Sequence, residues 1–419
     1  MQQPFICIVD AYSTGAELAS EFAKYGYRAV HVKSSPSIGE EFEAAYRSHE
    51  FAASFVHLGD PAETAESLRE FSPAYVIAGT ETGVILADQL ADLLGVPGNP
   101  PSSSERRRNK YKMNEALAAC GVQAVRQACF TEAGSASAWA DAEGVWPLVV
   151  KPLDSAGTDG VYFCHTPHEV ETALGRILFQ TNRMGSYNAE ALVQELLVGQ
   201  QYFINAVSVD GTHVITEIWK DNKKSVDGAS MICDVEELLP YHGEVQEQIR
   251  SYVCSVLDAL EIREGASHTE IMFTDRGPIL IETGARMQGT ILHEALVESI
   301  GSSHVTTSVL RYADPERFLK EHASGYTLHK QLYCVTLASE ETGTLVESFL
   351  ETKLTSLPSY YAMFHTPEVG DHVERTVDLF SNPGIIYLMH SDRDQILADY
   401  ARIREWEANK EIFRLATLV

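Results

Sequence analysis

Hydrophobic positions along the chain follow two rhythms, and the alternation between them predicts the elements. FICIV (5–9) and RAVHVK (28–33) are short apolar runs separated by a stretch that reads as turn and helix. YVIAGTETGVILADQLADLLGV (75–96) repeats that style, and strands alternating with helices predict a parallel α/β layer. GNPPSSSERRRNK (98–110) collects Pro and Ser before a basic run, which marks a linker, and YKMNEALAACGV then reads as a helix. VWPLVVKPLDSAGTDGVYFC predicts strand, glycine-containing loop, strand; the segment 191–220 predicts several strands, with turns at Val198-Gly199 and Asp210-Gly211. A helix near 244–260 precedes TEIMFT and PILIET, two apolar segments around the turn-forming DRG. From about Tyr326 further strands follow, then GIIYLMH and the helical DRDQILADYARIREWEANKEIF, whose charges alternate in sign as on a solvated face.

Composition narrows the function classes. The 419 residues leave room for about three domains at roughly 150 residues each. A content of 45% hydrophobic and 22% charged residues is that of an ordinary soluble globular protein. MQQPFICIVDAYSTG has no basic leader and Asp10 interrupts its apolar run, which argues against a signal peptide. No segment approaches the 18 or so apolar residues of a membrane helix. Seven scattered cysteines without a CxxC point to core thiols in a reduced cytoplasm rather than to disulfides or zinc. A net charge of −27 argues against nucleic acid as a partner and requires a local cationic cluster for any anionic ligand.

The candidate cluster begins with Lys110, after the linker, and Lys151, at the end of PLVVK. After Lys151, Ser155, Gly157 and Gly160 allow a backbone to approach an anion closely. The loop lacks GxxxxGK[ST] and is not a P-loop; alone it reads equally as a surface hairpin. Ser13, Thr14 and Gly15 form a strand-to-helix turn that can bind an anion, without the GxGxxG of a dinucleotide fold. Glu270 and Glu282 stand where half-buried strands would prefer Thr or Val, with Arg286 four residues past the second. Carboxylates on adjacent strands can share one or two Mg²⁺ ions that take substrate phosphates as further ligands, and the Arg286 fork can hold a phosphate or carboxylate. Exposed strand glutamates with an ion-paired arginine would look the same in sequence.

Taken together, Lys110, Lys151 with its loop, QELLVGQQY and the Glu270/Glu282/Arg286 set resemble the ATP-grasp superfamily in order and spacing, over nearly the whole chain. HTEIMFT…GPILIETGAR looks closest to bacterial L-amino acid ligases and dapdiamide-type amide synthetases. The resemblance implies an ATP-grasp fold of class α/β and α+β. Its parts would be an N-terminal parallel α/β domain over 1–105, a small lobe over 106–192, a large lobe with the metal site over 193–325, and a C-terminal α+β lobe over 326–419. It implies ATP and Mg²⁺ (or Mn²⁺) as cofactors, small-molecule carboxylate and amine substrates, and a homodimer as the candidate assembly. Lys110 and Lys151 would contact ATP phosphates with the 154–160 loop over them, and the backbone of Glu195, Leu196 and Leu197 would read the adenine edge. Val149 and Met272 would wall the base, Glu270 and Glu282 would hold the metal, and Arg286 would steady an acyl phosphate. Two positions depart from the superfamily pattern. Gln201 stands where a ribose-binding glutamate is usual, and Gly284 where an Asn often supplies a third metal ligand. For the substrate pocket the residues offer Trp219, Lys220, His268, Met287, Gly289, Thr290 and His293. Rival readings are a ligase for a non-amino-acid carboxylate, a catalytically silent ATP-binding regulator, and a nicotinamide oxidoreductase, which lacks its glycine fingerprint.

Overall fold

The computed structural model describes residues 3–38, 45–154, 160–182, 185, 187–224, 231–289, 291–378 and 381–416. Strands β1 (Phe5–Val9), β2 (Arg28–Lys33), β3 (Phe51–Val56) and β4 (Tyr75–Ala78) form a parallel sheet in the order β3-β2-β1-β4. β1 is buried at every position, as a parallel strand covered on both faces must be. The helix Val84–Leu94 packs on this sheet and ends at Gly95, whose φ of 68° suits the left-handed cap. In the linker, Arg107 is fully buried and donates to Asp88 at 2.8 Å and to the Leu260 carbonyl at 3.0 Å. It thereby ties the parallel layer to the end of the helix Glu244–Ala259, which packs on the large sheet.

Strands β5 (Gln127–Phe130), β6 (Leu148–Lys151), β7 (Tyr162–Cys164) and β8 (Ala191–Glu195) make a small antiparallel sheet, ordered β5-β8-β6-β7. Leu148 and Val150 point into its core with Ala136, Ala140 and Val170, so Val149 and Lys151 take the other face. Next come β9 (Gln200–Val209), β10 (Thr212–Lys224), β11 (Ile232–Leu238), β12 (Gly265–Thr274), β13 (Gly277–Gly284), β14 (Gln331–Thr336), β15 (Gly343–Ser348), β16 (Tyr360–Phe364), β17 (His372–Val373), β18 (Ile385–His390) and β19 (Phe413–Ala416). Eight of these form one sheet in the order β13-β12-β9-β10-β11-β14-β18-β16, so β11 and β14 pair across the division expected near 326. β17, β15 and β19 form a three-stranded sheet. The β9–β10 turn is Asp210-Gly211, with φ of 46° and 78°, the mirror-type hairpin that an Asp-Gly pair favours. Gly199 passes so close to β12 that an added Cβ would lie 2.1 Å from the Phe273 carbonyl oxygen.

One face of the large sheet is apolar. Ile204, Ala206, Ile218, Ile271 and Leu280 meet Met113 and Leu117 of the helix Lys110–Ala119, and Val253 and Leu257 of the helix Glu244–Ala259. The strand alternation that fills this core sends Glu270 and Met272 to the opposite face. All seven cysteines are free thiols, and no described helix is long and apolar enough to cross a membrane.

Candidate active site

Glu270 and Glu282 are direct cross-strand partners on β12 and β13. A register shift follows at Glu270/Ile271, so Ile271 pairs with Leu280. The bulge keeps both carboxylates on one face while both flanking apolar residues stay in the core. Like charges directly opposite each other destabilise a sheet, and this pair persists beside compensating groups. Lys110 Nζ lies 2.7 Å from Glu282 Oε2, and Gln201 Nε2 donates to Glu270 Oε2 at 2.9 Å. His268 Nε2 stands 3.7 Å from Glu270 Oε1. Burial raises the pKa of Glu270, but the His268 contact and the charges of His268, Lys223 and Arg286 outweigh it and hold the carboxyl well below its usual range. The set of hard oxygen donors suits Mg²⁺, which takes one or two carboxylates and leaves its other positions to water and phosphate.

Lys151 is buried, and Lys110, Glu282 and Glu270 are the charges that act on it. Burial and then the Lys110 charge bring its pKa down to about 8, against the opposing pull of the two glutamates. Arg286 donates from Nε to Glu81 Oε2 at 2.8 Å and from Nη1 to the Met287 carbonyl at 3.0 Å. Arg108 also reaches Glu81, and its Nη2 donates to Asp154 Oδ1 at 2.8 Å. Burial pushes the Glu81 carboxyl up, yet Arg286, Arg108 and Lys110 together hold it below its usual value. Lys110, Lys151, Arg108, Arg286 and Lys223 thus form the cationic cluster that a chain of net charge −27 needs to bind an anion.

Glu195 takes three hydrogen bonds from Arg126 and one from Arg276 at 2.7 Å, so its side chain locks the end of β8. The Leu196 N–H is taken by the Pro147 carbonyl at 2.9 Å, whereas among the described residues the Leu197 N–H has no acceptor. One main-chain donor of the expected hinge is therefore available to a ligand. Val149 and Met272 are both half-buried, on the faces that carry Lys151 and Glu270. Ser155, Gly157 and Thr290 lie outside the described residues.

The remaining pocket candidates scatter. Trp219 is buried, stacks on Phe203 at 5.6 Å and donates to Glu217 at 3.1 Å, so it supports the site from within the core. Lys220 leaves the opposite face of β10, in register with Tyr202 and Glu237, because adjacent strand residues point to opposite sides. Met287 is buried among Ile6, Leu18 and Val305. His293 bonds Ser303 Oγ at 2.7 Å at the start of a helix. Gly289 is exposed, with Ser13 Oγ 3.6 Å from where its Cβ would be.

Sequence reasoning missed Glu81, Arg108 and a group on β10–β11. Asp221, Cys233 and Glu236 cluster with ligand atoms within 4.8 Å of one another, and Lys223 Nζ lies 3.0 Å from Asp221. Burial and then the Asp221 charge raise the Glu236 carboxyl. Two of these had a legible signal: Glu81 follows β4 at the carboxyl edge of a parallel sheet, where open α/β sheets bind ligands, and Arg108 stands in the basic run before Lys110.

The ATP-grasp domain family matches residues 145–294. Over 412 residues the chain is 31% identical to dapdiamide A synthase of Enterobacter agglomerans, with 96% of each protein covered. It superposes over 100% of both chains on the L-amino acid ligase of Bacillus licheniformis, with a TM-score of 0.76 at 17% identity. N5-carboxyaminoimidazole synthetase from Staphylococcus aureus, solved with ADP, matches at a TM-score of 0.68 and 13% identity, over 96% of this chain and 98% of that one. These two structures share the fold, and the nearly full-length likeness to the synthase carries the relationship. The chain belongs to the ATP-grasp family and is an ATP-dependent carboxylate–amine ligase.

Proposed function

We propose that the enzyme activates the carboxylate of an amino acid or amino-acid derivative as an acyl phosphate, which the amine of a second amino acid attacks, releasing ADP and phosphate. The observation that carries this reading is the direct cross-strand pairing of Glu270 and Glu282 beside Lys110, Lys151 and Arg286. An anionic, resonance-stabilised carboxylate resists amine attack until one oxygen becomes a phosphate leaving group. Lys110 and Lys151 would hold the terminal phosphates, the Leu197 N–H would bond the adenine edge between Val149 and Met272, and Arg286 would offset charge on the acyl phosphate. Mg²⁺ held by Glu270 and Glu282 would neutralise charge on the transferring phosphoryl group; Mn²⁺ suits the same oxygen ligands. Gln201 holds Glu270 in this structure, so its contribution to nucleotide binding would run through that carboxylate. ADP release measured across a panel of amino acids, singly and in pairs, tests the reading. Release only with a non-amino-acid carboxylate would replace it by the rival reading of a ligase for such an acid.

Lys151 supplies a pH-dependent prediction. Between its lowered pKa of about 8 and the ordinary lysine value, Lys151 is mostly neutral before nucleotide binds. Phosphate favours the charged form and raises the pKa, so binding takes up a proton in that window and none well below it. Calorimetry of Mg-free nucleotide binding in two buffers of different ionisation enthalpy should show uptake near pH 9, abolished in Lys151→Met. Equal uptake in the variant would remove Lys151 from the phosphate site.

A further inference from the structure

Behind the metal-side carboxylates lies a buried polar chain that the ligase reading does not use. Glu217 and Asn205 are both fully buried on the face of the large sheet that carries Glu270. Glu217 receives the Trp219 indole N–H at 3.1 Å and the His304 main-chain N–H at 2.7 Å. Both groups can only donate, so Glu217 is held as an acceptor. Asn205 must therefore present its N–H₂ to Glu217, which it does at 2.7 Å.

Everything downstream follows from that orientation. The second N–H of Asn205 goes to Gln288 at 2.8 Å, so the Gln288 carboxamide turns its oxygen inward. The Asn205 oxygen faces His268 Nδ1 at 2.8 Å and must accept, which places the proton on Nδ1 and turns Nε2 toward Glu270. Gln288 is half-buried, two residues past Arg286, and its Nε2 meets no acceptor among the described residues. Its backbone N–H reaches His304 Nδ1 at 3.4 Å, and His304 Nε2 donates to the Ala206 carbonyl at 3.2 Å, which fixes the loop from below.

We propose that Asn205 is a positioning residue that sets the donor–acceptor polarity of the cleft, and that Gln288 donates its carboxamide N–H₂ to a carboxylate oxygen of the bound acid beside Arg286. One amide, oriented by Glu217, fixes a proton on His268 Nδ1, leaving Nε2 to face Glu270, and turns Gln288 with donors outward. The Gln288 half rests on the ligase reading given above; the His268 half does not.

The two halves are tested separately. In the full chain labelled with ¹⁵N-histidine, at a pH where the imidazole is neutral, His268 (assigned through His268→Gln) should carry its proton on Nδ1. Asn205→Leu should move it toward the Nε2–H tautomer and cut turnover about 10–100-fold, the usual cost of an outer-shell partner. A wild-type His268 protonated on Nε2 overturns the polarity assignment whatever the reaction, and needs no variant to fold. Gln288→Glu keeps an acceptor for Asn205 but removes the outward donor. It should raise KM for the acid about tenfold, leaving KM for ATP and the His268 tautomer unmoved. An unchanged acid KM in Gln288→Glu overturns the substrate contact and leaves the ligase reading standing. Absence of ADP release with every acid would instead sink that reading, while the tautomer measurement still decides the Asn205 assignment.

Discussion

Replacing Glu270 or Glu282 with Gln should lower ligase turnover by about 100-fold or more, beyond the 10–100-fold typical of outer-shell metal partners. Each substitution removes a charged oxygen from the pair that would hold Mg²⁺, and hard cations depend on such charge. The fold should survive, because the two carboxylates face each other across β12 and β13 and neutralising one relieves repulsion. ADP release as a function of Mg²⁺, together with thermal unfolding, checks both halves. Near wild-type turnover in both single variants would show that the pair does not hold the metal.

Arg286→Ala should have the second largest effect. Arg286 lies in the loop that follows β13, and its Nε donates to Glu81 Oε2 at 2.8 Å. Loss of a donor aimed at developing negative charge costs on the order of 2.7–4 kcal/mol in the transition state, about 10²–10³ in kcat. With ATP, Mg²⁺ and the correct acid but no amine, hydroxylamine should trap an acyl hydroxamate in the wild type and far less in the variant. Arg286→Lys should rescue little, since an ammonium cannot reproduce the planar fork. Full hydroxamate yield without Arg286 would take it out of the reaction.

Much of this site was legible because carboxylates in half-buried strands violate the local pattern. TEIMFT and PILIET announced a hairpin, and Glu270 and Glu282 stood out within it. The lysines were found through their neighbours: Lys110 closes a Pro/Ser linker, and Lys151 ends a strand before a glycine loop. Side-chain direction was harder to read. A one-residue step along a strand reverses the face, so Trp219 and Lys220 could not both point to the site, and neither lines an open pocket. Glu81 escaped because its partner Arg286 is 205 residues away and only the packing of the parallel layer on the large sheet brings them together. Asn205 and Glu217 escaped for a different reason. A buried amide and a buried acid show their roles only through partners, and those come from β9, β10, β12, the segment after β13 and the Ser303–His304 helix start.

The central claim is phosphoryl transfer to the carboxylate, and the fate of one oxygen tests it most directly. In the proposed reading Lys110, Lys151, Arg286 and the glutamate pair would all serve terminal phosphates. In acyl-phosphate chemistry the carboxylate oxygen bonds to the γ-phosphorus, and the amine later breaks the bond between the acyl carbon and that oxygen. The oxygen leaves with phosphate. With an ¹⁸O-labelled acid, mass spectrometry should find one ¹⁸O in the inorganic phosphate and ADP as the nucleotide product. Label in AMP, with pyrophosphate released, would mean attack at the α-phosphorus and would contradict the mechanism.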